Sequence, residues 1–318
     1  MRRGIAVTPM EVRRDVILRA ARLADALGYE VFSVAEGWGL DSSALLAELA
    51  GATRRIVLAA GVLSIWGRTA ATIAMTAATL HRISGGRFIL GLGASTRQLV
   101  EGWHDLGYDR PAARLRAVTT EVRALLNGER AALSAVPGAR ALRLGQPPVP
   151  ELPIWLAASG ERTIRVTAEL ADGWYPLYLR RDRLVELRAG MPGRVTVAAG
   201  PFTVVDDDVV AARDAAAACT AAYLGAMGDI YPRVVAGQGL AAEVELVRSA
   251  KTIPDDAQIL LDEFTAYGTA ATVRDRLERW DKVADVTMVG LPPGLPWPRI
   301  EATIRAAAPT AAHTWPSG

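Results

Sequence analysis

The sequence predicts an α/β fold, a (β/α)8 TIM barrel, on three observations. Short apolar runs alternate with longer helix-periodic runs, the pattern of βα units on a parallel sheet. Eight such apolar runs can be counted along the 318 residues, a length that suits one barrel. No GxGxxG follows the first of them, where a dinucleotide-binding open sheet would carry it. Counting alone still leaves a doubly wound open sheet as the competitor.

The elements follow in order. Residues 3–8 are short and apolar, a first strand. Residues 10–27 have apolar positions at helical spacing and stop at Gly28. A second strand over 30–34 is followed by a helix over 42–51, a third strand over 56–63 by a helix over 70–83. Ser84-Gly85-Gly86 leads into a fourth strand over 88–92, and 96–127 reads as one long helical region. The stretch 128–151 contains PGAR and QPPVP, too rich in proline for a helix, and reads as an excursion between barrel units. Residues 153–158 resume as a fifth strand, 162–171 as a helix, 173–177 as a sixth strand and 195–205 as a seventh. An extended, alanine-rich helical insertion runs over 207–249. A helix over 269–281, an eighth strand over 285–289 and a helix over 299–307 complete a single domain spanning 1–318.

Composition narrows the function classes. Apolar residues make up 51% of the chain and the net charge is only +2. Arg is interleaved with Asp and Glu, not gathered into the basic stripe a nucleic-acid binder needs. Cys219 is the single cysteine, which excludes a disulfide scaffold and any multi-cysteine metal site; it reads as a buried small apolar residue. Three dispersed histidines make no metal site, so none is expected. The first residues carry basic groups but no apolar h-region, and no 18-residue uncharged apolar run occurs, so the expectation is a cytoplasmic protein without a membrane span.

In a barrel the active site lies at the C-terminal strand ends. Trp38, Trp66, Trp103 and Trp174 all fall at or just beyond predicted strand ends, and an aromatic wall suits a flat ring system; capping of the barrel core is the alternative for each. Gly93, Ala94 and Ser95 follow the fourth strand. Ala158-Ser159-Gly160, opening a helix after the fifth strand, with Arg162 close behind, is a candidate phosphate site, unless Ser159 is an ordinary helix cap. His104 is a candidate acid or base because imidazole titrates near neutrality, or else a structural histidine. His81 reads as structural, and His313 lies in the tail.

Several blocks together resemble the luciferase-like monooxygenase superfamily. They include Thr53 through Val62, Arg68, Ser84-Gly85-Gly86-Arg87-Phe88 with Leu90-Gly91-Leu92-Gly93, Glu101-Gly102-Trp103-His104, Ala171-Asp172-Gly173-Trp174 and Tyr267-Gly268-Thr269. The resemblance covers roughly residues 3 to 291. It implies the barrel and a flavin or deazaflavin lying across the strand ends, with its phosphate near the loop after strand five. It also implies support behind the ring at Gly61–Val62, where family members often carry a non-prolyl cis peptide. Flavin monooxygenases of this family usually show a His pair after Glu in the strand-two loop, where this chain has Gly37-Trp38. The pattern Glu36-x-Trp38-Gly39-x-Asp41 looks more like the branch that uses coenzyme F420. Some members of that branch place a Glu proton donor where Ala94 stands, so His104 or Glu36 is expected to supply a proton, unless the substrate supplies its own. The resemblance thus implies hydride transfer between F420 and a small organic substrate, with reduction of C=C or C=N one guess. An FMN-dependent monooxygenase and a barrel that only binds a ligand are the alternatives. A homodimer through the helices beside strands two and three is also implied.

Overall fold

The structure, a computed structural model, describes residues 1–133 and 135–310; His313 lies outside the described residues. The chain begins β1 (Arg3–Val7), α1 (Arg14–Ala26), β2 (Val31–Ala35), α2 (Ser42–Ala52), β3 (Val57–Ser64), α3 (Ala70–Ile83) and β4 (Phe88–Gly93). It continues with α4 (Arg97–Gly102), α5 (Pro111–Leu126), β5 (Ile154–Ala157), α6 (Glu161–Leu170), β6 (Gly173–Trp174), α7 (Arg181–Ala189), β7 (Thr196–Ala199) and β8 (Phe202–Val205). The last part holds α8 (Val209–Gly225), α9 (Ile230–Val235), α10 (Ala241–Ala250), α11 (Gln258–Phe264), β9 (Thr265–Gly268), α12 (Ala270–Asp281), β10 (Val286–Leu291) and α13 (Trp297–Ala306).

All strand pairings between these elements are parallel. β1 to β7 pair in sequence, β7 pairs β10, and β10 returns to β1, closing an eight-stranded barrel. The expected (β/α)8 fold is therefore the one observed. The lumen is narrow and filled by small or slender groups: Val31, Val57, Ala59, Ile89 and Met288 pack there with Trp155. Gly173 and Gly91 leave no room for a side chain. A Cβ on Gly173 would stand 2.3 Å from the Trp155 ring, and one on Gly91 would stand 1.8 Å from the Ala60 carbonyl. A larger apolar layer lies between the strands and the surrounding helices.

Several expected elements are divided. The region 96–127 is two helices, α4 and α5, separated by a loop in which Asp105 and Arg110 have φ of 52° and 43°. Pro111 at the start of α5 explains the break, because it disfavours helical geometry at the residue before it. The expected sixth strand shortens to β6, since Pro176 cannot donate to a ladder. The expected seventh strand splits into β7 and β8 around Gly200-Pro201, where a Cβ on Gly200 would stand 2.0 Å from the Met288 carbonyl. β8 then diverges to pair with β9, which sequence reading did not find. The insertion after strand seven breaks at Gly228 and Gly239, whose φ values are 80° and 86°. The segment between α9 and α10 is a single π-type turn over 236–240. The proline-rich excursion holds only a bridge between Arg130 and Arg143 among its described residues.

Candidate active site

A cavity of about 750 Å3 opens at the C-terminal ends of the strands, within the range that holds a cofactor and a small ligand. Of the residues picked out by sequence, Glu36, Gly61, Val62, Gly93, Ala94, Ser95, Ser159, Gly160 and Arg162 border it. Trp38, Trp66, Trp103, His104, Ala158 and Trp174 do not.

The tryptophans stand off the cavity lining for different physical reasons. Trp174 is 0% exposed. It alternates with inward-facing Gly173, so its ring points into the helix layer, and its indole donates to the Ala158 carbonyl at 2.7 Å. Ala158 is buried beside it. Trp66 is buried too and donates to the Ala94 carbonyl at 2.8 Å, fixing the loop after β4 from behind. Arg114 stacks on its other side, 4.4 Å from the ring. Trp38 and Trp103 are 46% and 62% exposed on the barrel rim. His104 packs against Gly67, where an added Cβ would stand 2.8 Å from the imidazole. The aromatic wall of the cavity is instead Tyr108, Tyr175, Phe202, Tyr223 and Tyr231. Tyr175 sits one residue past the Ala171-to-Trp174 block and could have been found by extending it. Tyr223 and Tyr231 lie in the insertion, which no motif marked.

Glu36 borders the cavity, but its carboxylate is fully engaged. Arg68 Nη1 donates to both of its oxygens at 2.7 and 2.8 Å, and the Ser64 amide donates to Oε2 at 3.0 Å. The other arm of Arg68 donates to Asp41 at 2.8 Å. Asp41 in turn caps α2 by accepting from the Ser43 and Ala44 amides. Glu36 therefore ties the loop after β2 to the end of β3.

At Gly61 the ladder slips: Val34 pairs with Ala60 but Ala35 with Val62, so a β-bulge sits there. The peptide is trans, as are all described peptide bonds, and the implied cis bond is corrected. The bulge itself turns the strand end, as extra residues in a ladder do.

After β5 the chain turns into α6 with Gly160 at the N-cap and no side chain capping the helix. Ser159 is not that cap. Its hydroxyl donates to the Leu177 carbonyl at 2.9 Å and accepts from the Leu177 amide at 3.2 Å, pinning the loop after β6. The first-turn amides of α6 thus carry no side-chain cap. Facing them from α5 are Pro111, Ala112 and Ala113, with Arg110 at the turn. Burial pushes the hydroxyl of Tyr175 up to about 12, against a lowering hydrogen bond from Ser33. Burial also pushes Tyr231 up to about 12 and Tyr223 well above the usual range. These phenols are neutral at physiological pH.

The family model for luciferase-like monooxygenases matches residues 2–285. The chain is 30% identical over 306 residues to a Mycobacterium tuberculosis protein that bears the name of a coenzyme F420-dependent oxidoreductase, covering 84% of this chain and 87% of that one. Its fold is similar to the coenzyme F420-dependent tetrahydromethanopterin reductase of Methanopyrus kandleri, with a TM-score of 0.74, 19% identity and 96% and 97% of the two chains covered. It is also similar to the oxygenating constituent of the 3,6-diketocamphane monooxygenase of Pseudomonas putida in complex with FMN, at a TM-score of 0.69, 15% identity and 98% of each chain.

Proposed function

The chain belongs to the luciferase-like monooxygenase family, and from that premise we propose that it is an F420-dependent oxidoreductase passing a hydride between the deazaflavin and a small organic substrate. The observation that carries the reading is the uncapped N-terminus of α6, opening into a large, mostly apolar cavity at the strand ends. The relative at 30% identity supports F420 over FMN, as does Gly37-Trp38 in place of the His pair.

The residues present fit a phosphorylated, flat-ringed cofactor. Gly160 offers no side chain to compete for the first-turn amides, and the nearest atom to an added Cβ there is 3.7 Å away. In this reading the amides of residues 160–163 hold the phosphate, and Arg162 adds charge at the rim. Gly61 and Val62 support the back of the ring at the bulge. Gly93, Ala94 and Ser95, held from behind by Trp66, set its edge. When bound, the deazaflavin supplies the carbon that gives or takes the hydride. The protein excludes water with its apolar and aromatic lining and orients the substrate. Glu36, held by Arg68 and the Ser64 amide, positions the loop after β2. The reading includes a homodimer in the cytoplasm, supported by Met75 and Ile83, both exposed on α3; light scattering of the purified protein tests the dimer. No described helix is long and apolar enough to cross a membrane.

The test is anaerobic incubation with reduced F420 and a panel of ketones, enones and imines. Substrate-dependent return of oxidised F420 is the expected result. Turnover of reduced FMN with oxygen, and none of reduced F420, would replace this reading with a monooxygenase.

A further inference from the structure

Tyr223, near the end of α8, is 3% exposed and Tyr231 stands on α9; both border the cavity. Their rings meet edge to face with centroids 5.1 Å apart. Tyr178 packs against both, at 5.4 and 5.7 Å, and Phe202 packs against Tyr223 at 5.3 Å. These contacts fix the rings in place. The Tyr178 carbonyl accepts from Gln238 at 2.9 Å, which ties the insertion to the loop after β6. The Tyr178 hydroxyl is buried without a hydrogen-bond partner among the described residues, whereas Tyr223 and Tyr231 border the cavity, where a ligand can reach them. A ligand acceptor that displaces water there keeps each hydroxyl hydrogen-bonded.

The surroundings say what kind of ligand. The charged side chains bordering the cavity are Glu36, Arg110, Glu161 and Arg162, from the loop after β2 and the starts of α5 and α6. The insertion contributes no charge to the cavity; besides the two tyrosines it offers Met227 and Ile230. A carboxylate or phosphate placed there would lose water and gain no cation. A neutral oxygen acceptor on an apolar frame loses little and gains two donors.

We propose that Tyr223 and Tyr231 form a hydroxyl pair that binds the carbonyl oxygen of a neutral, apolar cyclic ketone, making the insertion after β8 the specificity element of the site. The binding claim stands on the cavity. That the ketone is then the hydride acceptor rests on the function proposed above.

Calorimetric titration tests it, with and without oxidised F420. The probes are cyclohexanone, adamantan-2-one and a steroid ketone, each beside a carboxylate of the same frame. Proteins compared are wild type, Tyr223→Phe, Tyr231→Phe and the double variant, each checked for an unchanged melting curve. At least one ketone is expected to bind about tenfold or more tightly than its carboxylate. Each single variant is expected to weaken ketone binding about two- to tenfold, with F420 binding unchanged. Equal affinity for ketone and carboxylate, no effect of either variant, or no binding of any ketone would overturn the proposal. Ketone binding without F420 binding would leave it standing and sink the cofactor reading instead.

Discussion

Glu36 borders the cavity and also ties two loops together. Its carboxylate spans Arg68 and the Ser64 amide, and Arg68 passes the connection to Asp41 and α2. Arg68→Ala leaves two acceptors in a half-buried loop without their donor, so a loss of about 1–3 kcal/mol is expected in urea unfolding. His104 lies off the cavity against Gly67, so His104→Ala is expected to hold the rate of hydride transfer within about twofold of wild type. A larger loss in stopped-flow measurement would return the imidazole to the chemistry. At this scale the sequence was partly legible. Small residues at strand ends pointed into the cavity, because backbone must approach the ligand there. The tryptophans did not. Trp174 turned outward through the two-residue alternation of β6 beside Gly173, and Trp38 and Trp103 ended on the rim.

Among the elements, α6 carries the clearest consequence. Its N-cap is Gly160, and Ser159 spends its hydroxyl on Leu177. Gly160→Asp introduces a good cap whose charge suits the dipole, so the melting temperature is expected to hold or rise slightly. The same carboxylate would repel a phosphate, and the affinity for F420 is expected to fall about tenfold or more in a fluorescence titration. Opposite movement of stability and affinity separates a binding role from a structural one. Strands β1 to β5 and helix α3 were legible because apolar period and glycine stops agree there. The insertion was not: runs of alanine conceal the breaks at Gly228 and Gly239, and β9 follows α11 too closely for periodicity to separate them.

The whole molecule depends on closure of β10 onto β1. Arg3, on β1, is buried with Asp281 at the end of α12, bonded at 2.6 Å, and also donates to the Ala307 carbonyl beyond α13 at 3.0 Å. Asp281→Asn removes the charge that compensates a buried guanidinium. A loss of about 3–5 kcal/mol in denaturant unfolding is expected. Closure brings the loops after eight strands to one face. The cavity there combines an uncapped helix terminus, a bulged strand end and a wall of tyrosines. That assembly, with membership of the luciferase-like family, is the basis for the cofactor assignment. The most direct test is equilibrium titration of the purified protein with oxidised F420 and with FMN, side by side, followed by fluorescence. Micromolar or tighter binding of F420 with much weaker FMN binding is the predicted result. The reverse preference, or binding of neither, would contradict the account.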